Sequence, residues 1–255
     1  MPKIFKNLHK CGVYTLKIFA VSDLHLSLSA PFSMEEPAQS YKPMTLFGDA
    51  WADFYQRLAQ NWRDQVGGED CVLLPGDISW AMQLAEARYD LAYIGDLPGM
   101  KVMIKGNHDY WWASIGRLRQ MLPPHFIALQ HNAIAAGRFA VCGTRGWLLP
   151  CHNDFNEQED RKIFDRELLR LEMALEEAQL LQRRMIVLLH FPPLDELGQE
   201  TAFMDLICRY PVDYCLYGHI HGNKNPAFAG EYRGVQLINC SVDRLGCRPL
   251  LITEG

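Results

Sequence analysis

The feature of this chain that most restricts its fold is a set of five short blocks rich in Asp, Asn and His, each placed after an apolar run. The blocks are Asp23-Leu24-His25, Gly76-Asp77, Gly106-Asn107-His108-Asp109, His190 and Gly218-His219-Ile220-His221. The runs before them are short, rich in Val, Ile and Leu, and bounded by Gly or Pro, a pattern typical of buried β-strands. The carboxyl ends of parallel strands share one edge of an α/β sheet, and ligands bind at that edge. We therefore expect the five blocks to converge in space.

The rest of the chain alternates strand-like and helix-like segments, without an internal repeat or a linker-like tract. Nine strands are predicted, at Leu16–Ser22, Asp70–Pro75, Lys101–Lys105, Phe126–Gln130, Phe139–Cys142, Met185–Leu189, Asp213–Tyr217, Val235–Asn239 and Pro249–Ile252. Five helices are predicted, most of them from apolar residues at helical spacing, at Ala50–Val66, Ala81–Ile94, Trp111–Leu122, Asp160–Arg183 and Ala202–Arg209. The β-α-β order indicates parallel strands with helices on both outer faces. The closely spaced strands between Phe126 and Cys142 indicate hairpins instead, and so a mixed sheet or a second sheet packed on the first.

Composition narrows the classes of protein to which the chain can belong. With 255 residues, of which 49% are hydrophobic, the chain can bury a sizeable core. A net charge of −5 and a pI near 6.0 argue against an extended nucleic-acid surface. The 8 Cys form no C-x-x-C pair, which favours buried free thiols in a reducing cytosol over a disulfide framework.

The N-terminal region has a superficial likeness to a signal peptide, because three Lys precede the apolar stretch Gly12–Val21. Lys17 interrupts that stretch, and no small-residue cleavage site follows it. No apolar run approaches the roughly 18 residues needed to span a bilayer. We expect a cytoplasmic protein with no membrane partner.

The side chains of the five blocks are those that bind metal ions. Each block alone has a structural explanation, since Gly76-Asp77 is an ordinary turn sequence and His190 could be a hydrogen-bonded loop histidine. Together the blocks supply two carboxylates, an amide and several imidazoles, which exceeds the need of one four-coordinate zinc and suits two metal ions in one site. Mixed Asp, Asn and His ligation is compatible with manganese, iron or zinc. Two metals about 3.5–4 Å apart clamp phosphate and activate water, so the blocks predict a metal-dependent phosphoester hydrolase.

The five blocks, in this order, resemble the signature of the calcineurin-like metallophosphoesterase superfamily. The strings Pro75–Met82 and Asn107–Trp112 further resemble a bacterial branch known only as predicted phosphohydrolases. The resemblance implies an α/β fold, a four-layer α-β-β-α sandwich with two mixed β-sheets. The first 16 residues resemble nothing in the family, so we expect an N-terminal extension at residues 1–16 and a single domain at residues 17–255.

The resemblance also implies a role for each residue of the blocks. It assigns the first metal to Asp23, His25 and His221, the bridge between both metals to Asp77, and the second metal to Asn107, His190 and His219. A water shared by the metals, with its pKa lowered toward about 7, would attack phosphorus as hydroxide. His108 would donate a proton to the departing oxygen, or would only support the ligands by hydrogen bonding.

The sequence departs from the pattern of the family's protein phosphatases. Those relatives extend the second block to Gly-Asp-x-x-Asp-Arg-Gly, whereas residues 76–82 here lack both the second acidic residue and the Arg. Arg145, after a predicted strand, is the best substitute for binding phosphate, with a solvated turn residue as the alternative. Asp109 is a candidate for orienting His108 or contacting substrate.

Several tryptophans follow predicted strand ends, namely Trp80, Trp111, Trp112 and Trp147. Such rings could stack on a nucleobase, although they more often pack helix starts against a sheet. Trp80 and Trp112 are therefore candidate substrate contacts, and they are the only indication of a nucleotide substrate.

The expected function is a dinuclear metal-dependent phosphoesterase that hydrolyses a phosphodiester or a small phosphomonoester. The alternatives are a nucleotide phosphohydrolase, a protein phosphatase-like enzyme, a mononuclear hydrolase and a non-catalytic metal-binding scaffold. A scaffold is disfavoured because every expected ligand and the expected proton donor are present. The sequence predicts no oligomeric state and no specific substrate.

Overall fold

The structure, a computed structural model, describes residues 15–222 and 227–254. Within these ranges the strands are β1 (Lys17–Ala20), β2 (Cys71–Leu74), β3 (Met100–Met103), β4 (Phe126–Ala128), β5 (Ala133–Ala136), β6 (Phe139–Gly143), β7 (Arg184–Leu188), β8 (Val212–Tyr217), β9 (Gly230–Tyr232), β10 (Val235–Asn239) and β11 (Leu250–Glu254). The α-helices are α1 (Phe54–Gln65), α2 (Arg88–Gly95), α3 (Ile115–Met121), α4 (Arg161–Gln179) and α5 (Ala202–Ile207), and two 3₁₀ helices span Met44–Phe47 and Asp49–Trp51. The predicted N-terminal extension lies outside the described residues, apart from its last two positions. No helix in the described ranges is long and apolar enough to cross a membrane.

The strands form two mixed sheets. The first has five strands in the order β11-β1-β2-β3-β4, of which β1 to β4 are parallel and β11 is antiparallel to β1. The second has six strands in the order β5-β6-β7-β8-β10-β9, with β6, β7, β8 and β10 parallel and antiparallel strands at both edges. Parallel strands in both sheets place several carboxyl ends at a common edge.

Side chains on each strand alternate between two apolar surroundings, which explains the continuous apolar runs in the sequence. In β1, Ile18 and Ala20 pack between the two sheets, whereas Phe19 packs on the side covered by α1, α2 and α3. In the second sheet, Ile186 faces the first sheet and Val187 packs on the side of α4 and α5. The layers therefore run α-β-β-α, which confirms the predicted fold class.

Two short edge strands, β5 and β9, were not predicted. The strands between residues 126 and 143 also pair differently from the prediction. The hairpin expected between the strands at 126–130 and 139–142 is wrong, because β4 lies parallel to β3 at the edge of the first sheet. β6 instead forms a hairpin with the unpredicted β5, through Gly137 and Arg138. The chain passes from the first sheet to the second between β4 and β5, so β4 is in a different sheet from β5 and β6.

The helices α1 and α2 begin later than predicted. Asp53 adopts a left-handed conformation (φ 50°) that separates the preceding 3₁₀ helix from α1. Before α2, the Glu86 carboxylate accepts hydrogen bonds from the Met82 and Gln83 N–H groups and holds a turn in place of the first helical turn. The segments that precede α1 and α2 contain apolar residues that pack in the same core as the helices, which is why the sequence pattern predicted earlier helix starts.

The described cysteines are all free thiols, as predicted. Cys71, Cys142, Cys215, Cys240 and Cys247 are buried, and burial raises the pKa of Cys142 to about 12. These thiols are therefore protonated at neutral pH and pack as small apolar groups.

Candidate metal centre

Five strands deliver the predicted ligands to one edge of the molecule. Asp23, Asp77 and Asn107 follow β1, β2 and β3 of the first sheet. His190 and His219 follow β7 and β8 of the second sheet. The structure thus brings together side chains that are up to about 200 positions apart in the chain. This convergence was predicted, because each of these residues follows a strand whose carboxyl end lies at the same edge.

The backbone bends sharply at four of these positions. The φ angle is 58° at Asp23, 47° at His25, 52° at Asp77 and 70° at His219. Non-glycine residues seldom adopt this left-handed region, which costs about 1–3 kcal/mol each, and such residues cluster at functional sites. Hydrogen bonds hold the bends, since the Asp23 N–H donates to the Gly76 carbonyl oxygen (3.0 Å) and the His219 N–H donates to the Asp23 carboxylate (2.9 Å).

Two groups of acidic and imidazole side chains meet at this edge. Asp23, His25 and His221 form the first group, and Asp23, Asp77 and His190 form the second, with ligand atoms within 4.8 Å of one another in each. Asp77 also links the groups, because its Oδ2 lies 3.7 Å from His25 Nε2 and 3.4 Å from His190 Nε2. One carboxylate is therefore in reach of two cation positions.

Asn107 and His219 complete the second group. Asn107 Oδ1 lies 2.6 Å from His190 Nε2 and 3.1 Å from His219 Nδ1. All seven predicted ligands thus lie together, and their role as ligands is part of the function proposed below.

The spacing of these atoms fits groups that share a cation. His221 Nε2 lies 3.5 Å from Asp23 Oδ1, and the Asp77 contacts of 3.4 and 3.7 Å are likewise too long for good hydrogen bonds. Metal–ligand bonds of about 2.0–2.2 Å imply ligand separations of roughly 3.3–3.6 Å in a tetrahedral site. The donor set and these three separations fit metal ions between the side chains, whereas Asn107 Oδ1 and His190 Nε2, at 2.6 Å, are within hydrogen-bond distance and would have to move apart to bind one ion.

The charges of the site favour cations. Burial would raise the pKa of both carboxyls, but the surrounding histidines hold the pKa of Asp77 at about 2 and that of Asp23 well below its ordinary value. Burial would lower the pKa of His190 and His221, but neighbouring carboxylates raise it to about 9 and about 10. Metal ions that bind here must displace these protons, so metal affinity is expected to increase with pH.

The other two imidazoles are neutral at physiological pH. Burial lowers the pKa of His25 to about 4 and that of His219 to about 3. A neutral imidazole keeps a lone pair for a metal ion. His25 Nδ1 is buried and has no hydrogen-bond partner among the described residues, while its Nε2 faces the site.

Groups outside the predicted ligand set orient two of the imidazoles. His190 Nδ1 lies 3.0 Å from the Pro75 carbonyl oxygen, which directs Nε2 into the site. His221 Nδ1 lies 3.2 Å from the Asp243 carboxylate, which also accepts the Gly222 N–H. Asp243 was not among the predicted residues, although it follows the parallel strand β10 and is marked by the same position after a strand end.

Replacing Asp243 with Asn is expected to weaken metal binding by about 10–100-fold, because a carboxylate behind a ligating imidazole fixes its orientation and raises its basicity. Calorimetric titration with Mn²⁺ measures the change. Asp213→Asn is a suitable control, since Asp213 pairs with Arg184 at the start of β7 and β8, at the opposite edge of the sheet. Equal affinity in wild type and Asp243→Asn would contradict the orienting role.

Asp109 holds two of the loops together and does not contact the site interior. It is fully buried, and its carboxylate accepts five N–H groups, from the backbone of Asp77, Ile78, Ser79 and Gly106 and from the Trp111 indole. The predicted substrate contact of Asp109 is therefore wrong, and so is its suggested contact with the His108 imidazole. Burial raises the pKa of Asp109 to about 6, and its role is to fix the loop of Asp77 against that of Asn107.

His108 borders the site without joining either ligand group. Its N–H donates to Asp77 Oδ1 (2.8 Å), and its ring centre lies 4.5 Å from that of Trp80 and 5.7 Å from that of His25. Burial lowers the pKa of His108. A half-buried imidazole in this position can deliver a proton to a group bound beside it.

The candidate substrate contacts are placed differently from one another. Trp112 is buried in the core of the first sheet, so its predicted contact with substrate is wrong. Trp80 borders the site, but its ring is stacked on His25 (4.6 Å between ring centres), and Lys42 Nζ lies 3.0 Å from the ring centre. The His25 ring and the Lys42 ammonium therefore occupy the Trp80 ring surface on which a nucleobase would stack.

Arg145 is neither in the ligand groups nor solvated, because its guanidinium lies over Trp147 (4.3 Å) and only 17% of its side chain is exposed.

Two cavities open beside the ligand groups. One, of about 360 Å³, is lined by His25, His108, His221, Asp243, Met44, Phe47, Trp51 and Trp80. The other, of about 400 Å³, is lined among others by His219, Phe191, Trp147 and Leu149. Both volumes suit a small molecule rather than an extended polymer.

The family model described as calcineurin-like phosphoesterase matches residues 16–223. The comparison with curated proteins gives no match. Among solved structures, the chain is similar to the protein of unknown function AQ665 from Aquifex aeolicus, with 17% identity over 92% of this chain and 95% of that one and a TM-score of 0.49.

Proposed function

Because the chain belongs to the calcineurin-like phosphoesterase family, we propose that it is a dinuclear metal-dependent hydrolase of small phosphoesters. The observation that supports this most is the position of Asp77, whose Oδ2 lies 3.7 Å from His25 and 3.4 Å from His190. A single carboxylate between two groups of imidazoles is suited to bridge two cations. The family itself implies hydrolase activity, and the two-metal site and the substrate class are the proposal.

In this proposal each ligand group holds one metal ion. Asp23, His25 and His221 would hold the first, Asn107, His190 and His219 would hold the second, and Asp77 would be shared. Two bound divalent ions lower the pKa of a water molecule and neutralise charge on phosphoryl oxygens. Manganese, iron and zinc all suit this donor set.

The chain's own residues position the phosphoester and supply a proton. His108 lines the 360 Å³ cavity together with His25 and His221, so its imidazole borders the space in which a leaving group would lie. A cavity of this size supports a small phosphomonoester or phosphodiester over a phosphoprotein.

Replacing His108 with Ala is expected to retain metal and to lose most turnover on substrates with poor leaving groups. The physical reason is that a leaving oxygen of high pKa needs a proton as it departs, whereas p-nitrophenolate does not. A series of aryl and alkyl phosphates measures the effect, with a predicted loss of about 10²–10⁴-fold for alkyl esters. A uniform loss across the series would show that His108 only supports the ligands.

Replacing Asn107 with Asp is expected to weaken phosphate binding. Asp23 and Asp77 are the only anionic residues among the seven ligands, so two divalent ions leave the site at roughly +2, and a third carboxylate reduces this charge. The inhibition constant of inorganic phosphate should rise by about tenfold, equivalent to about 1.4 kcal/mol. Unchanged phosphate inhibition in a fully metal-loaded variant would disprove the charge argument.

One experiment tests the proposed function as a whole. The purified protein is loaded separately with Mn²⁺, Fe²⁺ and Zn²⁺, its metal content is measured, and hydrolysis of mono- and diester substrates is assayed. We expect about two metal ions per chain and metal-dependent hydrolysis. One ion per chain would support the mononuclear alternative, and bound metal without hydrolysis of any phosphoester would support the scaffold alternative.

A further inference from the structure

Four cationic side chains surround one buried carboxylate next to the second ligand group. Glu167 of α4 is 1% exposed, and its carboxylate lies 2.7 Å from Arg170 and 3.7 Å from both Arg145 and Arg166. Lys105 lies close enough to interact electrostatically with Glu167, Arg145 and Arg170. We call Lys105, Arg145, Arg166 and Arg170 the basic cluster.

The basic cluster carries more positive charge than Glu167 needs. The Thr144 hydroxyl donates to Glu167 Oε2 at 2.5 Å and Arg170 donates to Oε1 at 2.7 Å, so each carboxylate oxygen has a close donor. Arg145 and Arg166, at 3.7 Å, are beyond hydrogen-bond range. Asp109 also interacts with Lys105, so four cations act against two buried carboxylates, which leaves a local charge of about +2 in a chain whose net charge is −5. A bound anion would reduce the repulsion among these cations.

The basic cluster adjoins the proposed metal centre through backbone and side chains. The Arg145 carbonyl oxygen accepts the N–H groups of His190 (2.9 Å) and Phe191 (3.0 Å). Lys105 is two residues before Asn107 in the same strand-end loop. Arg145 is also close enough to Asp77 for the two charges to attract each other.

Arg145 packs on a residue that lines a cavity next to the second ligand group. The Arg145 guanidinium lies 4.3 Å from the ring centre of Trp147. Trp147 lines the 400 Å³ cavity together with His219 and Phe191. In the described part of the chain no residue of the basic cluster lines this cavity, whose wall also contains Asp195 and Glu196, so Arg145 is linked to it only through Trp147.

We propose that the basic cluster is a second anion subsite, which binds a further phosphate group of the substrate while the metal centre acts on the first. The substrate class is then a small phosphoester that carries at least two phosphate groups. Arg145 is the central residue, because its planar guanidinium offers paired donors to phosphate oxygens and is less exposed than Arg166 or Arg170. This inference rests on the proposed function and specifies its substrate.

The test compares the binding of one and two phosphate groups to the Mn²⁺-loaded protein by calorimetry. The probes are α,ω-alkanediol bisphosphates with two to six methylenes, each paired with the monophosphate of the same length. We expect one length to bind at least about tenfold more tightly than its monophosphate. This advantage should fall to less than about threefold in Arg145→Gln and in Lys105→Gln, and should be partly restored in Arg145→Lys.

The variants separate the subsite from general effects on folding and charge. Arg145→Gln removes an ion-pair partner of the buried Glu167 and could therefore affect folding. Lys105→Gln tests the same subsite without this effect, because Lys105 makes no hydrogen bond or ion pair with Glu167 in the described part of the chain. Arg184→Gln removes a cation at the opposite edge of the second sheet and should keep the full advantage. Equal binding of bisphosphates and monophosphates at every length, or an advantage that survives both Gln variants, overturns the proposal.

The same experiment distinguishes this inference from the proposed function. If the protein hydrolyses p-nitrophenyl phosphate but shows no bisphosphate advantage, only the second subsite is refuted. If the advantage is present without hydrolysis of any phosphoester, the anion subsite stands and the proposed hydrolase function does not.

Discussion

Replacing Asp77 with Asn is expected to reduce bound metal from about two ions per chain to one or fewer and to lower kcat/KM by about a thousand-fold. Asp77 Oδ2 lies between His25 and His190, so the substitution removes the charge that both cation positions share. A metal ion supplies several kcal/mol to phosphoester hydrolysis, and each 1.4 kcal/mol corresponds to a factor of ten in rate. Elemental analysis of the purified variant and its kinetics on p-nitrophenyl phosphate measure both effects.

Asp70→Asn is the matched control for this substitution. Asp70 is also buried, lies directly before β2 just as Asp77 lies after it, and accepts N–H groups of Lys17 (3.0 Å) and Gly67 (2.7 Å). It is at the end of the strand remote from the ligands, so its loss should affect thermal stability and not metal content. Two bound metals in Asp77→Asn would refute the bridging role.

Replacing Gly106 with Ala is expected to abolish most metal binding and activity although no ligand is removed. A Cβ at Gly106 would lie 2.1 Å from Asp77 Oδ1 and 2.3 Å from the Asp77 backbone nitrogen, closer than any real contact. The Asp77 loop must therefore move away, which also disturbs the hydrogen bonds to Asp109. A shift of about 1 Å in a positioned group can cost about a hundred-fold in rate. Metal content, kcat and thermal stability should be measured together.

Gly68→Ala is the control for the glycine substitution. A Cβ at Gly68 would meet nothing within 4 Å, and the position lies before β2 at the edge remote from the ligands. This variant should bind metal and turn over substrate as wild type does. If Gly106→Ala also kept both metals and full activity, the close approach of the two loops would have no functional importance.

The ligands could be predicted from the sequence because each one depends only on local information. A strand of four or five apolar residues is recognisable by itself, and parallel strands end at a common edge whatever their order. Asp23, Asp77, Asn107, His190 and His219 all follow strands that were predicted within a few residues. The fold class could be predicted for the same reason, together with the family resemblance.

Other parts of the site depended on contacts between distant segments. Whether Trp112 faces the core or the site depends on how the segment around α3 packs, and the sequence pattern is the same in both cases. Asp109 follows His108 directly, yet its five N–H partners come mainly from the neighbouring loop, so its role depends on the approach of two strand ends. Asp243 could have been found from its position after β10, but its role depends on the His221 imidazole lying beside it.

The sequence by itself determined the types of element, the alternating burial of the strands and the donor atoms at the strand ends, because these follow from short-range periodicity and chemistry. Only the tertiary structure decided which charges meet. Glu167 and Arg145 are 22 positions apart and lie together because α4 packs against the second sheet. Charge interactions depend on distance and burial, and neither quantity is encoded in the spacing of residues along the chain.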